Sequence, residues 1–478
     1  MRVIASGILR CMKRREALRT LGGIAGAAGL SRLLPACASR STTGTGTGTT
    51  TGNEKAGITT YVYMMMENRS YDHYFGARSM FESKPGDGPN PDVTLPDRLG
   101  KPIGLWAPDK SSLCDLDPPH GWDSLRASWN NGRCDQFVVT HQLEHKDDTA
   151  IQPMQYLTRD DLPVSYALAD AYTSCDRWFC SVMGPTWPNR FYWHAGTAFG
   201  QMANNLPTAL SPSIYHRLNA KGVDWAYYYG SIPVVAVITD IDVKPHLRRF
   251  HQFLTDAANG TLPPVVYIDP AFAQNDDHPS GHPILGQALI STVYQALASS
   301  PQWPNILFVL TYDENGGFYD HVSPGTAPDD LAAAGFDQLG FRVPTLVMGP
   351  YVKQGYVSST PYDHTSALRH LQNAFGLDPL TTRTEAATDL TDCIDQARLA
   401  ARDWAPPIEI PAVDITAWPM GPECVGTLRE GEDHPIVAWA NANQDRLAGL
   451  DLRHELDDYK QTIKDFLANP PLAVARLP

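Results

Sequence analysis

The sequence predicts an α/β fold: a mostly parallel central sheet flanked by helices, built as a single large domain. Two patterns lead there. Four apolar runs, ITTYVYMMM (58–66), PPVVYID (263–269), NILFVLTY (305–312) and RVPTLVMG (342–349), are continuous rather than alternating, as in strands covered on both faces. Between them lie segments with helical spacing. LGQALISTVYQALAS (285–299) sets Leu285, Ala288, Leu289, Val293 and Leu297 on one stripe, and TSALRHLQNAF (365–375) does likewise. Strands alternating with helices imply an open, mostly parallel sheet covered on both sides.

The first forty residues are read apart from this domain. A basic stretch with Arg14-Arg15 precedes a mildly apolar Gly/Ala segment, the pattern of a twin-arginine export signal. Its apolar part is too interrupted to hold a helix across a bilayer. Leu34-Pro35-Ala36-Cys37 resembles a lipoprotein processing box with Cys37 as the lipid-bearing residue, although Pro is unusual there and ordinary cleavage nearby is the alternative. The Thr/Gly run that follows has no means of packing and reads as a tether. The expected organisation is a signal with lipoprotein-like box at 1–37, a tether at 38–57 and the folded domain at 58–478. An exported protein is expected, periplasmic, at the cell surface or secreted, with membrane association through a lipid on Cys37.

The chain carries a formal charge of −14. Residues 1–36 hold seven basic side chains and one acid, so the remainder stands at −20. Such a surface repels polyanions and excludes nucleic acid as a partner. No protein partner can be inferred. Without Cys11 and Cys37 six cysteines remain, an even number that favours disulfides in an exported chain. At least two bridges are expected, and neighbour pairing (114–134, 175–180, 393–424) is the simplest arrangement.

In open sheets, ligands sit beyond the carboxyl ends of the strands. The 58–66 run ends in Glu67-Asn68 and the 305–312 run in Asp313-Glu314. Clustering carboxylates away from water is costly unless a cation neutralises them. The pairs are therefore expected to hold a divalent metal of open identity; the alternative is a pair of surface turns. Arg69 is expected to brace this loop by pairing with an acid.

In SCDRWFCSVMGPTWPNRFYWHAGT (174–197), Gly184-Pro185 forces a turn and Pro188 suits a first helical turn, which puts Thr186 at a helix N-terminus. Free N–H groups there favour phosphate. Thr186 is either a helix cap or a metal-activated nucleophile. His120 in DPPHGWDS and His278 in NDDHPSGHP are surface residues or donors to phosphate and to a leaving group. His282 reads as a bystander, and Asp320 and His321 as support behind the ligands. The aromatic stretches WAYYYG (225–230) and FYWH (191–194) read mainly as core, with binding of a choline-like cation or an acyl glycerol as the alternative.

ENRSYDHYFG, DPPHGW, CDRWFCSVMGPTWPNR, NDDHP and TYDENGGFYDHV occur in this order, followed by GFRVPTLVMGPYVKQGYVSSTPYDHTSALRHLQ. Over residues 58–380 the chain thereby resembles the bacterial phosphoesterase family that contains non-haemolytic phospholipase C and related acid phosphatases. The resemblance implies an alkaline-phosphatase-like α/β core and a phospholipid or small phosphate ester as substrate. It also implies metal ligation by Glu67, Asn68, Thr186, Asp313 and Glu314, Thr186 as nucleophile, and His120 and His278 near the phosphate. Members with Ser at the nucleophile exist, so Thr186 leans toward the phospholipase side. The longer phospholipases carry C-terminal β-domains, whereas residues after 380 here read as Pro-rich connections and a helical stretch at 442–469. Phospholipase C cleavage through a phospho-threonine is the first expectation, with acid phosphatase action on monoesters as the alternative. A non-catalytic surface lipoprotein that binds phosphorylated ligands is the rival from another class.

Overall fold

A computed structural model of the chain describes residues 57–110, 113–114, 116–206, 209–417, 442–443, 447 and 452–471. Gly57–Pro478 forms one compact unit. Arg14-Arg15, Cys37, the tether up to residue 56 and Cys424 lie outside the described residues.

The strands are β1 (Thr60–Met66), β2 (Thr94–Pro96), β3 (Pro102–Gly104), β4 (Thr173–Cys175), β5 (Trp225–Tyr229), β6 (Leu247–Arg249), β7 (Val265–Asp269), β8 (Ile306–Tyr312), β9 (Leu346–Met348) and β10 (Tyr356–Ser358). Eight of them form one sheet in the order β10-β4-β9-β8-β1-β7-β5-β6, and β2 pairs with β3 in a separate hairpin. The four strands expected from the apolar runs are neighbours in the centre. The sheet is parallel except at β9, which runs antiparallel to both β8 and β4. Every residue of β1, β7 and β8 is buried, which explains why these runs do not alternate.

Register decides what the strand ends present. Met66 pairs with Tyr312 across β1 and β8, so the next residues, Glu67 and Asp313, emerge side by side. β7 flanks β1 on the other side, with Met64 opposite Ile268, and ends in Asp269. Three adjacent strands thus deliver carboxylates to one edge.

The expected helices are Pro283–Ala298 and His364–Phe375. The first departs from the stripe expectation: all its residues except Leu285 are buried, because the helices Pro163–Ala171, Phe250–Asn259 and Leu452–Ala468 all pack against it. WAYYY is the buried strand β5, and FYWH lies buried in the helix Thr186–Ala195, in keeping with the core reading. A smaller apolar cluster that includes Leu95, Leu125, Phe137, Met183 and Phe341 lies beneath the β2–β3 hairpin. No described helix is long and apolar enough to cross a membrane.

The disulfide expectation is corrected. Cys134, Cys175, Cys180 and Cys393 are free and buried, so none of the three neighbour pairs forms and at most one bridge remains among the six cysteines. Packing separates the sequence neighbours. Cys175 faces Cys393 with 3.9 Å between sulfurs, while the Cys180 thiol donates to the Phe341 carbonyl at 3.2 Å.

Candidate active site

Glu67, Asn68, Asp313 and Glu314 are all fully buried. Asn68 has φ of 59°, a left-handed conformation that Asn tolerates better than most residues. The turn aims its main-chain N–H at Asp313 Oδ1 (3.1 Å), which also accepts from Glu314 N (2.7 Å). Glycine is required just beyond. Gly317 has φ of +69°, and a Cβ there would meet the Pro119 carbonyl at 2.7 Å. This close approach seats the 313–318 loop against the segment that carries His120.

Thr186 is the first residue of the helix Thr186–Ala195, whose N-cap is Pro185 and has no side-chain cap bond. The capping alternative for Thr186 therefore falls away. Asn189 holds the turn before the helix: its Nδ2 donates to Gly184 O at 2.9 Å and to Val182 O at 3.2 Å, and Val182 N donates to its Oδ1 at 3.0 Å. One turn beyond Thr186, Arg190 reaches into the carboxylates. Its guanidinium lies 3.1 Å from Glu67 Oε1, 3.5 Å from Asp313 Oδ2 and 3.5 Å from Asp269 Oδ1. The helix that starts at Thr186 is thus tied to both strand-end pairs.

His120 and His278 come together, with ring centroids 5.6 Å apart. His120 Nδ1 donates to the Pro118 carbonyl at 2.7 Å and lies 3.5 Å from Asp117 Oδ1. Its Nε2 lies 3.3 Å from Asn68 Nδ2 and 3.8 Å from Glu314 Oε1. His278 Nδ1 donates to the Pro279 carbonyl.

The electrostatics are those of crowded, dehydrated acids. Burial and the charge of Glu67 push Asp313 up to about 7, while burial and Asp313 hold Glu314 well above the usual range. Burial and Glu67 do the same to Asp276. Burial opposes a charge on His120, but Glu314 and Asp117 outweigh it and raise the imidazole to about 9. For His278 burial wins, and its pKa is lowered. Asn68 Oδ1, Asp313 Oδ2 and Glu314 Oε1 are buried and accept no hydrogen bond. Buried oxygens without donors are a cost that a divalent cation removes, so these residues fit a metal.

The sequence reading missed four residues here. Asp269 ends β7 as Glu67 ends β1, and the same strand-end rule would have found it. Arg190 sits four residues after Thr186, a spacing that puts both on one helical face. Asp276 accepts the Glu67 N–H through its carbonyl at 2.7 Å, and His364 Nε2 donates to the Asp313 carbonyl at 2.7 Å. No local signal distinguishes the last two. Arg69 braces its loop differently from expectation, donating to the main-chain carbonyl of Asp277 at 2.8 Å and to His73 Nε2 at 3.1 Å. His282 caps the helix Pro283–Ala298 by accepting from Ile284 N at 3.1 Å. Asp320 and His321 belong to a network of their own: the buried Arg342 binds Asp320 at 2.9 Å and Asp72 at 2.7 Å, and the partly exposed His321 meets Asp72 at 2.7 Å.

The sequence matches the Phosphoesterase family over residues 58–378. It is 31% identical over 438 residues to phospholipase C B of Mycobacterium tuberculosis, covering 76% of this chain and 82% of that one. It is 29% identical over 436 residues to non-specific phospholipase C3 of Arabidopsis thaliana, covering 80% of each. Among solved structures, a protein in the alkaline phosphatase superfamily from Vibrio parahaemolyticus aligns at 11% identity with a TM-score of 0.32, covering 47% of this chain and 62% of that one.

Proposed function

We propose that this chain, which belongs to the phosphoesterase family, is a metal-dependent phospholipase C-type hydrolase that works through a phospho-threonine. Phosphoric ester hydrolysis itself follows from the family and its phospholipase C relatives. The observation that carries the finer reading is Arg190, which ties the helix opening at Thr186 to Glu67 and Asp313. Glu67, Asn68, Asp313 and Glu314, with the Thr186 hydroxyl, would hold a divalent cation, which when bound supplies charge neutralisation and acidifies a coordinated hydroxyl.

The N–H groups that open the Thr186 helix receive phosphate oxygens. Thr186 Oγ1 attacks phosphorus as its proton passes to a base, and the bond to the diacylglycerol oxygen breaks. The pKa split assigns the proton carriers: His120, raised to about 9, protonates the departing oxygen, and His278, held low, takes the Thr186 proton. Water then gives a proton to the neutral His120 and attacks phospho-threonine, the P–Oγ1 bond breaks as His278 returns its proton to Thr186, and the head-group phosphomonoester leaves.

The test is a side-by-side assay of metal-replete protein on phosphatidylcholine, a soluble phosphodiester and a phosphomonoester. Phosphocholine and diacylglycerol are the expected products. Faster turnover of the monoester, with phosphatidylcholine untouched, would replace this reading by acid phosphatase action. The signal, Cys37 and tether support export with a lipid anchor, and Cys37→Ser is expected to release active protein from the membrane fraction; wild-type protein already free of membranes overturns the anchor.

A further inference from the structure

We propose that Asp117, His120 and His278 form a second, inhibitory cation site of mixed nitrogen and oxygen character beside the all-oxygen set, suited to zinc. One carboxylate oxygen of Asp117 and one ring nitrogen of each histidine lie within 4.8 Å of one another, close enough for a single ion to meet all three after small side-chain rotations. The donor chemistry differs from that of Glu67, Asn68, Asp313 and Glu314. Two imidazoles with one carboxylate suit zinc, whereas carboxylate and amide oxygens alone suit hard cations.

Three further observations support the site. Both rings donate Nδ1–H to main-chain carbonyls, of Pro118 and Pro279. Such a bond fixes the ring and reserves Nε2 as the ligating nitrogen once its proton is displaced, as is usual for metal-ligating histidines. Asp117 Oδ1 accepts no hydrogen bond. All three residues are partly exposed, so an ion reaches them from solvent without passing the buried carboxylates.

Inhibition follows from the place of both rings in the reaction and rests on the reading given under Proposed function. An ion held on these imidazoles occupies the ring nitrogens that the reaction uses. Zinc in excess therefore stops the reaction even when the oxygen set is filled.

Zinc alone is the probe for the site. Metal-depleted protein dialysed against Zn²⁺, with Mg²⁺ or Ca²⁺ in excess to fill the oxygen set, is expected by elemental analysis to retain one more zinc equivalent than Asp117→Asn or His278→Ala treated alike. Wild type and both variants holding the same amount of zinc overturns the site. A measurement free of folding effects uses wild type: bound zinc should protect His120 and His278 from diethyl pyrocarbonate, mapped by peptide mass, and equal labelling with and without zinc counts against the site. For inhibition, activity on a soluble phosphodiester with Mg²⁺ or Ca²⁺ in excess should fall as zinc is added. Asp117→Asn should need roughly tenfold more zinc or beyond for the same loss; equal sensitivity overturns the inhibitory role. Protein with no hydrolase activity under any cation would defeat the reaction reading, while stoichiometry and protection would still decide the site.

Discussion

Arg190 Nη2 and Glu67 Oε1 meet at 3.1 Å, with both side chains fully buried. The same guanidinium serves Asp313 and Asp269, so one cation of the chain's own braces the ends of β1, β8 and β7 from the helix that begins at Thr186. Removing it leaves three acids without their internal counter-charge. Arg190→Met is expected to cost about 3–5 kcal/mol, the usual penalty for stripping one partner from a buried ion pair. Arg190→Lys should recover part of this, since charge returns without the planar fork. Urea unfolding of both variants, with metal absent, checks it; a loss below about 1 kcal/mol for the Met variant would mean that the acids are neutralised by protons instead.

Metal-free protein is expected to lose stability as pH rises. Asp313 is raised to about 7 and Asp269 to about 6, chiefly by burial. A carboxyl whose folded pKa exceeds its unfolded value binds its proton more tightly when folded. Stability from these groups is therefore full below their unfolded value of 3.8 and declines as pH climbs through 6 and 7. A divalent cation should reverse the trend, raising the melting temperature more at pH 8 than at pH 5. Melting scans across that range with and without cation make the comparison.

Asp313→Asn and Glu67→Gln should each lose metal and activity while remaining folded. Both substitutions remove a buried charge that is costly in the absence of a cation, so metal-free stability should hold or rise. Elemental analysis showing full occupancy in both variants would refute the ligand assignment.

Thr186→Ala should lower turnover by roughly 10³-fold or more, as other nucleophile deletions do, and Thr186→Ser should keep substantial activity. Stability should change little, because the hydroxyl makes no cap bond. Acid quench of wild type during turnover should trap phospho-threonine. Near-normal turnover by the Ala variant would assign the attack to water.

Gly317→Ala is expected to cost about 1–3 kcal/mol, since φ is +69° and the added methyl meets the Pro119 carbonyl. The displaced 118–120 segment carries His120, so kcat should fall further than stability predicts at temperatures where the variant is fully folded. Unchanged kcat would show that the 313–318 loop does not position His120.

The sequence by itself determined the centre of the sheet and its chemistry-bearing edge. Runs buried on both faces have no polar alternation to hide them, so β1, β7, β8 and β9 were legible, as were Glu67-Asn68 and Asp313-Glu314 at their ends. The strands β4, β6 and β10 have three residues each and, unlike the equally short β9, lie in no longer apolar run that would mark them. Tertiary structure decided what register and packing alone can set. It placed Glu67 beside Asp313 through the Met66–Tyr312 pairing, and it reversed β9. It also drove Arg190 among three acids from distant parts of the chain, and set Cys175 against Cys393 rather than Cys180. Those partners are far apart in sequence, and local pattern carries no information about which side chains the folded sheet brings to one edge.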